Sequence, residues 1–354
     1  MSAAKLRVAI DMTFPNRGAA GSSTYARELI GALREREEID VVPIDAGSAP
    51  GLPGTARWLL GGAARRMAGA QLVHCPAFVA PWRLPAPFVL TVHDTSIFSF
   101  PDDHDFEWRA YIRAFLGRRA RAAARVITGT ESAKTEIARD LRVPADRIAV
   151  TPYGIGKDFS RAAPVSRTQE GPPTLLFAGA PTRRKNLELV LQAMSAAPET
   201  SMLGRGRLVI TGADQAQHPD QAERIRRLGL TGRVEWRGKV PREQMPSLLA
   251  SADVLVYPSW HEGFGFPALE AMAAGTPVVA STAPCLPEVL GDAAVLVDPS
   301  DARAFIEAVE AVISRPDLRA QLVARGRARA GLYTWSRCAE LTTRAYFEAA
   351  AGRP

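Results

Sequence analysis

Short apolar, β-branched runs alternate with stretches of helical periodicity along nearly the whole chain. Leu6–Ile10, Leu72–His74, Phe88–Val92, Arg125–Ile127 and Ile148–Thr151 have the length and composition of buried strands. A second set follows at Thr174–Ala178, Leu208–Thr211, Val234–Trp236, Asp253–Tyr257, Pro277–Ala280 and Ala294–Val297. Strand–helix alternation of this kind predicts an α/β chain built from two doubly wound parallel-sheet domains. Between the two sets, Ser160 to Thr174 is rich in Ala, Pro, Ser and Gly with little hydrophobic pattern, which predicts a linker. The expected division is an N-terminal domain over residues 1–165, a second domain over 166–332 and a helical segment over 333–354.

Composition agrees with packed domains. At 354 residues the chain is too long for one ordinary core, and 47% hydrophobic residues exclude a disordered polymer. No apolar run approaches the roughly 20 residues of a spanning helix, and with the first predicted strand beginning at Leu6 no signal peptide is expected. Cys75, Cys285 and Cys338 are odd in number and widely spaced, without metal-like pairing, and read as reduced thiols. The expectation is a soluble cytoplasmic protein.

The net charge of +7 changes the picture at one place. Between Trp108 and Arg125, Trp108, Tyr111, Ile112, Phe115 and Leu116 recur at helical spacing with Arg109, Arg113, Arg118, Arg119, Arg121 and Arg125 interleaved. Such a helix either docks on its own domain and solvates its arginines or associates peripherally with an anionic membrane, at its inner face. Nucleic acid is not an expected partner, because no binding motif accompanies the charge.

The candidate chemistry centres on Glu262-Gly263-Phe264-Gly265-Phe266-Pro267-Ala268-Leu269-Glu270. Two carboxylates eight positions apart are joined by a Gly-rich turn that follows a predicted strand and opens a helix. Pro267 lies in that helix's first turn and Gly275 lies past its end. Gly263 and Gly265 let backbone N–H groups approach an anion, and carboxylates accept from sugar and ribose hydroxyls. Upstream, Phe177-Ala178-Gly179 ends a strand, and Arg183-Arg184-Lys185-Asn186-Leu187 enters a helix, an arrangement suited to a diphosphate. On residues alone, the first segment equally describes a surface turn with two solvated acids, and the second a solvated basic run.

These segments closely resemble glycosyltransferase family 4. Glu262…Glu270 resembles its E-x7-E motif, and Gly179-x4-Arg184-Lys185-Asn186-Leu187 its G-x4-R-K-N-L segment; Tyr257-Pro258-Ser259 and Leu286-Pro287-Glu288-Val289 match flanking text. The resemblance implies the GT-B fold: two Rossmann-like domains facing a central cleft, with the acceptor mainly on the N-terminal one and the donor on the second. It further implies that the segment from Tyr333 crosses back to the first domain. It implies a retaining transferase that moves a hexosyl group from a nucleotide-diphosphate sugar. The acceptor class stays open between a glycan, a lipid-linked intermediate and a small molecule.

Residue by residue, the resemblance implies that Arg184 and Lys185 hold the donor diphosphate, Glu270 the ribose hydroxyls and Glu262 the donor sugar. The backbone from Gly263 through Phe264 and Gly265 to Phe266 would contact sugar and phosphate, Gly179 would belong to the donor site through the G-x4-R-K-N-L match, and the base would lie near Trp236-Arg237-Gly238. Val92-His93-Asp94 resembles the family's V-H-D segment, which implies that His93 lies beside the donor sugar. Where relatives carry G-x-G-R-Y, this chain reads Gly21-Ser22-Ser23-Thr24-Tyr25, which keeps Gly21 and Tyr25 but has Ser23 and Thr24 in place of the second Gly and the Arg. No cofactor and no metal is expected. Asp103-His104-Asp105 spells a metal motif of a different fold but lies in a loop before the Arg-rich helix. Two other readings use the same site: a nucleotide-sugar 2-epimerase and a non-catalytic nucleotide-sugar-binding subunit. The wording around Arg184 and Tyr257 resembles bacterial mannosyl- and rhamnosyl-type transferases.

Overall fold

The computed structural model describes residues 5–16, 20–47, 51–162 and 171–352. The chain divides into two compact units, one comprising Met1–Gly154 with Tyr333–Pro354, the other Ile155–Leu332. The expected boundary at residues 165 and 166, and most of the expected linker, lie outside the described residues.

The first unit is a six-stranded parallel sheet in the order β2-β1-β3-β4-β5-β6. Its strands are β1 (Leu6–Asp11), β2 (Ile39–Ile44), β3 (Leu72–Cys75), β4 (Phe88–Thr91), β5 (Arg125–Thr128) and β6 (Ile148–Val150). β3, β4 and β5 are buried along their whole length, as parallel strands covered on both faces must be. Strand β2 is absent from the hydrophobic pattern. It lies at the sheet edge and its face is only half buried, which is why it tolerates charged neighbours and Pro43, a residue without the N–H that an interior strand must donate. The helix Trp335–Ala350 packs on this unit against the helix Ala20–Arg34 and β3, β4 and β5. Gly154 makes that packing possible, because a Cβ there would stand 2.2 Å from the Trp335 backbone nitrogen.

The Arg-rich segment departs from the expected uniform helix. It runs as Phe106–Tyr111, a wide π-type stretch at Ile112–Leu116, and Gly117–Ala122. Its arginines largely face protein. Arg119 is buried, donates to the Pro81 carbonyl and lies over the Trp82 and Phe88 rings. Arg121 donates to the Leu141 carbonyl, Arg109 pairs with Asp102, and Arg125 sits in β5 against Glu348. Arg113 and Arg118 remain exposed. Among the described residues, no helix is long and apolar enough to cross a membrane.

The second unit is also a six-stranded parallel sheet, ordered β12-β11-β10-β7-β8-β9. Its strands are β7 (Thr174–Ala178), β8 (Arg207–Thr211), β9 (Val234–Trp236), β10 (Val254–Tyr257), β11 (Val278–Ser281) and β12 (Val295–Val297). Counted from the unit's own first strand this is the 3-2-1-4-5-6 order, and its direction reverses between β7 and β10. At such a switch point the loops leaving adjacent strands diverge and open a crevice. In the first unit the equivalent reversal lies between β1 and β3.

Candidate functional site

The loops that leave β7 and β10 meet at the switch point of the second unit. β7 ends at Ala178, and Gly179 follows with φ 123°, in the region that favours glycine. The chain then makes one tight turn at Arg183–Lys185 and passes through Asn186, whose φ of 56° is left-handed, into the helix Leu187–Ala196. Asn tolerates this conformation better than most residues. Its side chain also ties the turn down, donating from Nδ2 to the carbonyls of Pro258 and Pro299 at 3.0 Å each. The Trp260 N–H donates to the Arg184 carbonyl at 2.8 Å. The basic turn and the segment after β10 are thus one hydrogen-bonded body.

That body brings three of the predicted residues together. Lys185 Nζ donates to Glu262 Oε1 at 2.7 Å and to the Tyr257 hydroxyl at 2.9 Å, and it lies 4.6 Å from the Tyr257 ring centre. Arg184 Nη1 donates to Glu262 Oε2 at 3.1 Å and to the His261 carbonyl at 2.9 Å. Each oxygen of Glu262 therefore faces one cation. Burial alone would push its carboxyl up, but the charges of Lys185 and Arg184 overcome that and hold it down at about 2. Burial pushes the Lys185 ammonium down, with Glu262 opposing. Two cations and one carboxylate leave a net positive charge at the carboxyl end of the sheet.

Beyond Glu262, Gly263 and the buried Phe264 lead to Gly265, whose φ of 92° starts the helix Phe266–Ala274. The positive φ calls for glycine at this position, and a Cβ there would also push on the tip of the Leu286 side chain, 2.8 Å away. The Phe264 and Phe266 rings pack at 5.1 Å. Glu270 projects from this helix, buried, and its Oε1 accepts from Arg242 Nη1 at 3.0 Å. The two motif carboxylates thus belong to different ion clusters, one with Arg184 and Lys185 and the other with Arg242.

Gly179, Gly212 and Gly238 pack at the adjoining strand ends. A Cβ on Gly212 would come 2.7 Å from the Gly179 carbonyl carbon, and one on Gly238 would come 2.4 Å from Asp214 Oδ1. Arg237 follows β9 and turns its guanidinium to Glu235, so its side chain is held in an exposed pair, while its backbone N–H donates to Ile210 at 2.9 Å.

In the first unit, Gly21 lies in the first turn of the helix Ala20–Arg34 with open space at its Cα; Arg17, Gly18 and Ala19 lie outside the described residues. His93 follows β4. Its Nδ1 is 2.8 Å from the Tyr153 hydroxyl, and the rings of Tyr25 and Phe78 stand edge-on to it at 5.0 and 5.3 Å. Burial brings its pKa down to about 4, against the opposing pull of Asp94 and the Pro76 carbonyl, so the imidazole is neutral at pH 7. His74 is fully buried and bonded through both nitrogens, to Thr91 Oγ1 and to the Tyr346 hydroxyl, each at 2.7 Å. It is a structural residue. Asp102, beside the Asp103-His104-Asp105 sequence, accepts from Arg109 at 2.9 Å.

Tyr257, Asn186 and Arg242 enter the site without having been assigned roles from sequence. The polar hydroxyl of Tyr257 at the end of an apolar strand was a signal for the first. Arg242, in a short turn 28 residues before Glu270, gave none.

Two family models match the chain, "Glycosyltransferase Family 4" over residues 19–159 and "Glycosyl transferases group 1" over residues 158–329. The chain is 34% identical over 287 residues to the O-antigen chain mannosyltransferase B of Escherichia coli, a match covering 78% of this chain and 74% of that protein. Among solved structures it is similar to sucrose-phosphate synthase from Thermosynechococcus elongatus, with a TM-score of 0.76, 22% identity and coverage of 97% and 98% of the two chains. It is also similar to Anabaena HepE, solved in complex with UDP and glucose, with a TM-score of 0.71, 18% identity and coverage of 96% and 98%. At these identities the structural likeness establishes the fold. The relative matched over three quarters of its own length establishes the family, and this chain is a member of glycosyltransferase family 4.

Proposed function

We propose that this glycosyltransferase is a retaining enzyme that transfers a hexosyl group from a nucleotide-diphosphate sugar to an acceptor hydroxyl in bacterial glycan, glycolipid or natural-product synthesis. The name of the Escherichia coli relative favours mannose as the sugar, and the UDP and glucose bound to Anabaena HepE favour a nucleotide-sugar donor. The observation that carries the reading is the convergence of Arg184 and Lys185 on Glu262 at the switch point, with Glu270 on the helix that the following loop opens.

On this reading the diphosphate takes up the charge of Arg184 and Lys185, which stabilises the negative charge that grows on the leaving group as the glycosidic bond breaks. The cations supply what a metal supplies elsewhere, so activity is expected to survive chelation. Glu262, held as an anion at a pKa of about 2, cannot act as a general acid at neutral pH. It serves instead to orient the sugar or to stabilise positive charge at its anomeric carbon. The leaving phosphate then accepts the acceptor's proton on the same face, which gives retention. In the first unit, the neutral His93 imidazole suits hydrogen bonding to a hydroxyl.

Thermal denaturation with saturating GDP, UDP, dTDP and ADP tests the donor site. At about 100 times its dissociation constant a ligand adds roughly 2.7 kcal/mol, enough to raise the midpoint by several degrees. One nucleotide should stabilise the wild type and lose that effect in Glu270→Ala; no shift with any of them overturns the reading. Incubation with the matching donor sugar separates the alternatives. Released nucleotide and sugar support transfer, an isomerised donor supports an epimerase, and an untouched donor supports a binding subunit.

A further inference from the structure

Arg242 is an ion-pair partner of Glu270, and its surroundings fix it there. It comes from the turn Arg242–Gln244, and its guanidinium carbon lies 5.2 Å from the Phe159 ring centre. Stacking on a ring and an ion pair together hold a guanidinium in one plane and one direction. Arg242 is itself 42% exposed, whereas the Glu270 side chain it faces is 8% exposed.

A guanidinium offers donors alone and stays charged. A buried carboxylate facing it is therefore favoured as an anion, which accepts from hydroxyls and repels phosphate oxygens. A ribose presents two neighbouring hydroxyls to such a group, and a 2′-deoxyribose presents one. Binding the deoxy sugar would leave the buried anion short of a donor, a cost that falls on the wrong ligand.

We propose that Arg242 is a positioning residue that aims the Glu270 carboxylate and, through it, makes the nucleotide site select ribose over 2′-deoxyribose. This deepens the donor-site reading above and rests on it. Arg242 acts through Glu270 rather than on the reacting atoms.

The test is calorimetric titration of the full chain with GDP, UDP and ADP, with their 2′-deoxy counterparts and with dTDP. It uses the wild type, Glu270→Gln, Arg242→Gln and Arg242→Lys. The wild type should bind its preferred ribonucleotide about tenfold or more tightly than the deoxy form, the size of one hydrogen bond to a charged group. Arg242→Gln should weaken the ribonucleotide by about tenfold and leave the deoxynucleotide nearly unchanged, so that the ratio collapses. Arg242→Lys, which restores charge without the planar fork, should recover part of it.

Equal weakening of both nucleotides in Arg242→Gln, no change in either, or a wild type that prefers a deoxynucleotide overturns the proposal. If Glu270→Gln also leaves binding intact, or no probe binds at all, the donor-site reading falls with it. If Glu270→Gln weakens binding while Arg242→Gln does not, only the role of Arg242 falls.

Discussion

At the carboxyl ends of β3 and β4 in the first unit, the fully buried polar side chains are neutral, and Asp94, which follows them, is only half buried. His74 bridges Thr91 and Tyr346, Thr91 is 3.2 Å from the Tyr25 hydroxyl, and His93 meets Tyr153. At the ends of β7 and β10 in the second unit they are charged, with Glu262 between Arg184 and Lys185 and Glu270 against Arg242. Both sheets place polar side chains where a doubly wound fold binds ligands, yet they meet the cost of burial differently. A neutral network needs only its hydrogen bonds satisfied. An ion cluster depends on its shared partner, because removing one member leaves a buried charge whose cost exceeds what the pair contributes. The second unit therefore holds charges ready for a charged ligand and is more sensitive to their loss.

The sharpest way to break this comparison is Glu262→Ala. It leaves Arg184 and Lys185 facing each other in a buried site, and unfolding in urea should show a loss of about 3–5 kcal/mol. A loss below about 1 kcal/mol would mean that the cluster is solvated and that the contrast between the units is wrong.

Acid separates the units by sign and by range. His74 at about 3 and His93 at about 4 both lie below the usual histidine value of 6.5. The unfolded chain therefore takes up protons first, and their contribution is lost as pH falls through 6.5 and below. Glu262, lowered from 4.5 to about 2, contributes stability that is present above about 4.5 and lost only below it. Between pH 6.5 and 5 one such histidine costs about 2 kcal/mol. His74→Gln, which keeps a hydrogen-bonding side chain but does not titrate, should flatten the pH dependence of stability by about that amount. An unchanged slope between pH 7.5 and 5 would place the acid sensitivity elsewhere.

The smallest expected effect is Tyr346→Phe. It removes one partner of His74 and leaves Nδ1 without that bond, a cost of about 1–2 kcal/mol in the thermal midpoint analysis. A neutral result would show that water replaces the hydroxyl and that the network is wetter than its burial implies.

Much of this architecture was legible along the chain. Strands such as Thr174–Ala178 announce themselves because parallel strands covered on both faces must be continuously apolar. The helix after Glu262 was bounded by Pro267 and by Gly275, whose φ of 84° only glycine adopts readily. β2 escaped because an edge strand has no such requirement: its half-buried face and Pro43 erase the pattern. The Arg-rich segment misled in a different way. Periodicity placed its apolar face correctly, but nothing local records that Arg119 reaches Pro81 and Trp82, or Arg121 Leu141. Long side chains are free to turn inward when an acceptor is there to meet them.

By itself, the sequence determined which segments are buried, where glycine must stand and which family the site resembles, because burial and backbone conformation are local demands on residue type. Only the tertiary structure decided what each charge faces. Lys185 and Glu262 are 77 residues apart and meet because the sheet order sets β7 beside β10, while Arg242 and Glu270, 28 apart, meet because the turn Arg242–Gln244 and the helix Phe266–Ala274 fold together around β10. Pairing of charges depends on strand order and loop direction, and these are properties of the assembled sheet.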